Sequence, residues 1–169
     1  PDKRLVLITA HRRENFGEPL RAICQAIKTL AQNNPSVEFL YPVHPNPNVT
    51  GVVNELLADQ KNLHLCAPLD YAHFVAVMKR SFLILTDSGG IQEEAPALSK
   101  PVLVLRNETE RPEAISQGVA KLVGHDYDRI LTETQRLLDD ESAYFAMKKG
   151  ISPYGDGHAA ERIVQVLEE

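Results

Sequence analysis

The sequence predicts a doubly wound α/β domain, Rossmann-like, with helices on both faces of a parallel sheet. Three observations carry that expectation. Short, fully apolar runs alternate with longer runs of helical spacing, the pattern of strands joined by crossover helices. The apolar runs are too continuous for a sheet with one wet face, so both faces are expected to be covered. The 169 residues, 43% hydrophobic and 24% charged, suit one domain with one core. One domain over residues 1–169 is therefore expected.

The elements follow in order. Leu5–Thr9 reads as a buried strand, and Leu20–Leu30 as a helix with Ile23, Ala26, Ile27 and Leu30 on one side. Val37–Val43 is the next strand, and Val49–Ala58 is helical through Val52, Val53, Leu56 and Leu57. Leu63–Cys66 is strand, Tyr71–Lys79 helix, Phe82–Thr86 strand and Gly90–Leu98 helix. Val102–Leu105 follows Pro101 as a strand, and Ala120–Val123 is the last. Asp126–Leu138, Ser142–Lys149 and Ala159–Leu167 are helical, with Gly150–Gly157 the one hinge-like stretch. Right-handed crossovers give a sheet whose ligands sit beyond the carboxyl ends of the strands.

Composition excludes some classes. A formal charge of −5 gives no basic field for nucleic acid, so an anionic ligand must be held by local groups. No stretch approaches the roughly 20 apolar residues of a membrane span. The opening Pro1-Asp2-Lys3-Arg4 and the short apolar run after it lack a signal-peptide pattern. Cys24 and Cys66, in apolar settings, read as buried thiols rather than a disulfide. A cytoplasmic protein is expected. The immediate entry into a buried-type strand, without an initiator Met, suggests an excised domain; Met removal before Pro1 would look the same.

Three polar loops follow three different strands. Thr86-Asp87-Ser88-Gly89-Gly90 opens a helix, where free amides and the helix dipole favour an anion. The glycines allow close backbone approach, and Ser88 can bond a phosphate or simply cap the helix. Glu94, one turn further, is misplaced for phosphate but suits the paired hydroxyls of a ribose. Thr9-Ala10-His11-Arg12-Arg13-Glu14-Asn15-Phe16-Gly17 offers planar guanidinium donors and an imidazole. The same residues also describe a solvated basic turn paired with Glu14. In Asn107–Glu113, Pro112 suits a first helical turn, and Arg111 can reach a phosphate or pair with a neighbouring Glu. Phe74 can stack on a base or belong to the core. His44 lies in a proline-fixed loop just past a strand and can bind a ligand or bond backbone; His64, His73, His125 and His158 lack ligand spacing. Neither a Walker loop, nor a G-x-G-x-x-G, nor cysteine metal spacing is present.

Together, His11-Arg12-Arg13-Glu14-Asn15-Phe16-Gly17, Tyr41–Val49, Leu85–Pro96, Thr109–Glu113 and Pro153-Tyr154-Gly155-Asp156-Gly157 resemble the non-hydrolysing UDP-N-acetylglucosamine 2-epimerases, in order and over nearly the whole chain. The resemblance implies the second domain of a two-Rossmann-domain, GT-B-type fold, with the amino-terminal domain missing. It implies an isomerase that interconverts UDP-N-acetylglucosamine and UDP-N-acetylmannosamine by eliminating and re-adding UDP at C2, without a cofactor or metal. The product would feed polysaccharide biosynthesis, and the full-length protein would be a homodimer. By the same resemblance His11 contributes to catalysis; Phe74, Ser88, Gly89, Gly90, Glu94 and Arg111 bind UDP; and Arg12 and His44 belong to a second, activating sugar-nucleotide site. The acidic residues expected at C2 have no counterpart in these residues, so the isolated chain is expected to be inactive. A glycosyltransferase donor domain, a hydrolysing epimerase and a non-enzymatic module on the same sheet are the alternatives.

Overall fold

The computed structural model describes residues 3–168; Pro1, Asp2 and Glu169 lie outside the described residues, as does the start of the Pro1–Arg4 segment read above. Its strands are β1 (Leu5–Thr9), β2 (Glu38–Pro42), β3 (Leu63–Cys66), β4 (Leu83–Thr86), β5 (Val102–Val104) and β6 (Ala120–Leu122). They form one parallel sheet in the order β3-β2-β1-β4-β5-β6. The chain winds outward from β1 to β3, then returns to β4 and winds the other way. This is the doubly wound order, and its crevice opens between β1 and β4.

Side chains alternate across the sheet with the strand period of two. Val6 and Ile8 of β1, Leu83 and Leu85 of β4, and Leu103 of β5 face one core. Leu7, Ile84, Val102 and Val104 face the other. The first core is closed by α1 (Glu18–Asn33), α2 (Pro47–Leu57), α6 (Tyr127–Asp139) and α7 (Glu141–Met147). In α1, Leu20, Ile23, Ile27 and Leu30 are fully buried, which is the three-to-four spacing of a helix stripe. The second core is closed by α3 (Tyr71–Arg80), α4 (Gly89–Ala97) and α5 (Pro112–Ser116) through Met78, Ile91, Ala95 and Ala114. Each fully buried Leu or Ile contributes about 1.5–3 kcal/mol of transfer free energy. A last helix, α8 (Ala159–Glu168), buries no residue.

Asp and Asn side chains cap several helix starts. Asn46 accepts from the amide of Asn48 before α2, Asp70 from His73 before α3, Asp126 from Arg129 before α6 and Asp140 from Ala143 before α7. The start of α4 is different: Ser88 makes no side-chain cap bond. Between β1 and α1 the chain makes a 3-10 turn at Arg13–Asn15, which the residue pattern did not predict. Gly17, at φ 82°, then turns the chain into α1, a conformation that costs glycine little.

Candidate functional site

The β1–α1 and β4–α4 loops leave the two strands that flank the crevice, and Asp87 joins them. Asp87 directly follows β4 and is completely buried. Its Oδ2 accepts from the backbone amides of His11 and Arg12, both at 2.8 Å, and from Asn15 Nδ2 at 3.0 Å. Buried Asn15 also donates to the Leu105 carbonyl at 3.1 Å, so it ties this loop to the end of β5. The 3-10 turn is thus held by tertiary bonds, not by its own propensity. Beneath it, the Thr9 and Thr86 hydroxyls lie 2.7 Å apart, and Thr86 Oγ1 accepts from the Ser88 amide at 3.0 Å.

This framework presents the amino end of α4 to the crevice with its hydroxyl cap unused. The first amides of a helix have no intrahelical acceptor and carry the positive end of its dipole. Ser88 is half-buried, Gly89 buried and Gly90 exposed. Arg12 adds a cation: a Cβ placed on Gly89 would stand 3.5 Å from its Nη2. Glu94 lies half-buried one turn along α4 and accepts from the Tyr71 hydroxyl at 3.2 Å.

His11 is half-buried, with its ring stacked on exposed His44, centroids 5.4 Å apart. Burial holds its imidazole below the ordinary pKa; the Asp87 carboxylate opposes this, and His44 and Arg12 add to the depression. Both rings line a cavity of about 230 Å³ with Thr9, Pro42, Phe74 and Ile91. Phe74 belongs partly to both environments, since it packs against the second core and faces this cavity. Arg111, by contrast, is engaged: its Nε donates to Glu93 of α4. Glu14 pairs not with the neighbouring arginines but with buried Arg106, at 2.5 Å, and Arg106 also holds Glu110 at 2.7 Å.

One cavity thus gathers His11, His44 and Phe74 with Ile91 of α4, while Ser88, Gly89 and Gly90 open the same helix with Arg12 against Gly89 and Glu94 further along it. Arg111 stands on the neighbouring loop, tied to α4 through Glu93. Four organising residues were given no role from sequence: Asp87, Asn15, Arg106 and buried Gln92. Gln92 accepts from Thr109 Oγ1 at 2.5 Å and donates to the Ser88 carbonyl at 3.2 Å, so it joins the β5–α5 loop to α4. A charge set directly on the end of an apolar strand, as in Leu83-Ile84-Leu85-Thr86-Asp87, was the available signal for Asp87. Tyr154, from the Gly150–Gly157 stretch, accepts from the Ala114 amide at 3.1 Å and donates to the Arg111 carbonyl at 3.3 Å. The cysteines are free thiols, Cys24 buried and Cys66 only half-buried at the end of edge strand β3. Among the described residues no His, Cys, Asp and Glu group could hold a metal, and no helix is long and apolar enough to cross a membrane.

A parallel sheet in this order, with an open helix terminus at its switch point, defines a Rossmann-like domain of the kind that receives anionic ligands. The chain belongs to the UDP-N-acetylglucosamine 2-epimerase family, whose model matches residues 1–168. It is 52% identical to the UDP-N-acetylglucosamine 2-epimerase of Campylobacter jejuni over 166 residues, 98% of this chain and 43% of that protein. It also matches the crystal structure of UDP-GlcNAc 2-epimerase from Neisseria meningitidis bound to UDP-GlcNAc, with TM-score 0.95 and 46% identity, over 98% of this chain and 45% of that one. An S. aureus MnaA–UDP co-structure matches with TM-score 0.94 and 44% identity, over 99% and 46%. The chain thus spans less than half the length of these relatives.

Proposed function

We propose that residues 1–169 form the single UDP-gripping, carboxy-terminal domain of an epimerase that interconverts UDP-N-acetylglucosamine and UDP-N-acetylmannosamine. The observation that carries this reading is the uncapped start of α4, set between Arg12 and Glu94 in the switch-point crevice. The amides of Ser88, Gly89 and Gly90 would take the diphosphate, and Glu94 the ribose hydroxyls. Phe74, half-exposed in the cavity beside them, would meet the uracil. Arg111 would join the diphosphate by exchanging Glu93 for phosphate oxygens.

The reaction requires UDP to leave C1 as an anion and to remain bound until it returns. A fixed row of donors is suited to both tasks, because its dipoles are oriented before charge develops. His11 would stabilise the departing diphosphate. Arg12 and His44 would serve a second, activating sugar-nucleotide site. Arg12 borders Gly89 and His44 stacks on His11, so occupancy there would be felt directly at the first site.

Residues for proton transfer at C2 would come from an amino-terminal domain closing over the crevice and excluding water. The apolar side of α8 supports such a partner: Ile163, Val164 and Leu167 are exposed on a helix that buries nothing. The isolated chain would bind UDP without epimerising. We place the parent protein in the cytoplasm, as a homodimer, supplying polysaccharide biosynthesis.

Titration of the purified chain with UDP, against UMP and ADP, tests the half-site. Saturable binding that prefers UDP, with shifted amide resonances at Ser88–Gly90, is the expected result. Absence of binding at millimolar UDP in both this chain and the two-domain parent would overturn it.

A further inference from the structure

Burying a carboxylate costs several kcal/mol unless donors satisfy it. Asp87 is satisfied on one side only. Three donors converge on Oδ2, and they account for the anchoring of the β1–α1 loop. The second oxygen, Oδ1, is buried without a hydrogen-bond partner among the described residues and stands 3.7 Å from His11 Nδ1. Loop anchoring needs one oxygen; it does not explain a second one aimed at an imidazole in the crevice.

We propose that Asp87 is the positioning residue for His11: its Oδ1 selects the tautomer protonated at Nδ1 and balances the ring's charge when Nε2 takes a proton. This rests on the reading of His11 as the group that meets the departing diphosphate. With Nδ1–H turned to Asp87, Nε2 at the other end of the ring is the nitrogen left for the cavity. The separation of 3.7 Å is within ion-pair range and beyond hydrogen-bond range. Such bonds often tighten only when a ligand is bound. The charged or titratable groups facing His11 are Asp87, the stacked His44 ring and the Arg12 guanidinium. Of these only Asp87 favours an imidazolium. Without it, a ring placed to donate to a phosphate oxygen would stay neutral in a site that burial and two basic groups already make unfavourable for charge.

The test is Asp87→Asn in this chain, read by nitrogen NMR of labelled histidine without ligand, with His11→Ala to assign the signal. The Asn amide must keep its oxygen toward the three donors, because the reverse orientation sets donors against donors. Its NH2 then faces His11 Nδ1 and can only donate. The wild type is expected to show the Nδ1–H tautomer above its titration midpoint. The variant is expected to switch to Nε2–H, with the midpoint lower by about one pH unit or more, the usual reach of an adjacent opposite charge. An unchanged tautomer and midpoint would leave Asp87 a loop anchor and overturn the proposal. If the variant does not fold, an Nε2–H tautomer in the wild type overturns it and Nδ1–H supports it. Neither result depends on UDP binding, so this inference and the UDP reading can fail separately.

Discussion

Glu94→Ala is the substitution that bears most directly on the proposed nucleotide half-site. Glu94 is half-buried on α4, and among the described residues its carboxylate accepts one hydrogen bond, from the exposed Tyr71 hydroxyl at 3.2 Å. As a ribose acceptor it would make two charge-assisted bonds, each roughly 1.5–3 kcal/mol. Part of that is offset, because the Tyr71 bond must yield and the ligand strips water from the carboxylate. A net loss of about 2–3 kcal/mol remains, which is roughly a 30- to 150-fold weaker Kd for UDP. Calorimetry with UDP measures it directly, and binding of uracil alone should hardly change. Tyr71→Phe is the necessary control. It removes the same inter-helix bond while leaving the carboxylate, so it should preserve affinity. A UDP Kd within about threefold of wild type in Glu94→Ala, or an equal loss in Tyr71→Phe, would refute the ribose role.

Two further predictions concern stability and reactivity. Arg106 holds Glu110 down to a pKa of about 2 from its ordinary 4.5. A carboxylate depressed on folding stabilises above its unfolded pKa and loses that contribution as pH falls through the folded value. Urea midpoints of Arg106→Met should therefore lie below wild type at pH 7, with the gap narrowing between pH 4.5 and about 2; a constant gap would speak against the ion pair. Burial pushes the Cys24 thiol up to about 12, leaving roughly one thiolate in ten thousand at pH 8. Alkylation followed by mass spectrometry should modify half-exposed Cys66 well before Cys24, and equal rates would contradict the packing of α1.

Much of this fold was legible because it depends on local periodicity. Leu5–Thr9 and Leu63–Cys66 are short, mostly apolar runs that begin directly after the polar residues Arg4 and Asn62, and the structure keeps both sets of bounds. Helix starts at Pro47, Glu18 and Glu141 lie earlier than apolar spacing suggested, because proline and acidic first turns carry no hydrophobic signal. The 3-10 turn was illegible for a stronger reason. Arg13-Glu14-Asn15 has no apolar period, and the bonds that hold it reach Asp87, more than seventy residues away. Pairings such as Arg111 with Glu93 and Arg106 with Glu14 are likewise choices among several nearby carboxylates, and only packing selects one.

The strand order also explains why a buried carboxylate sits at this place. At the switch point, the connections from β1 and β4 run to opposite faces of the sheet, so no crossover helix covers the crevice between them. On that side Arg12, Arg13 and Glu14 of the β1–α1 loop are exposed. Asp87 supplies a restraint from the adjacent strand end, with Asn15 extending it to β5. An apolar residue at position 87 could fill the space, yet it would leave the His11 and Arg12 amides and the Asn15 side chain without their acceptor. A residue that holds the loop must therefore accept hydrogen bonds in a dry environment. A carboxylate does this with one oxygen and keeps the other beside His11, which couples the placement of the loop to the protonation of its imidazole.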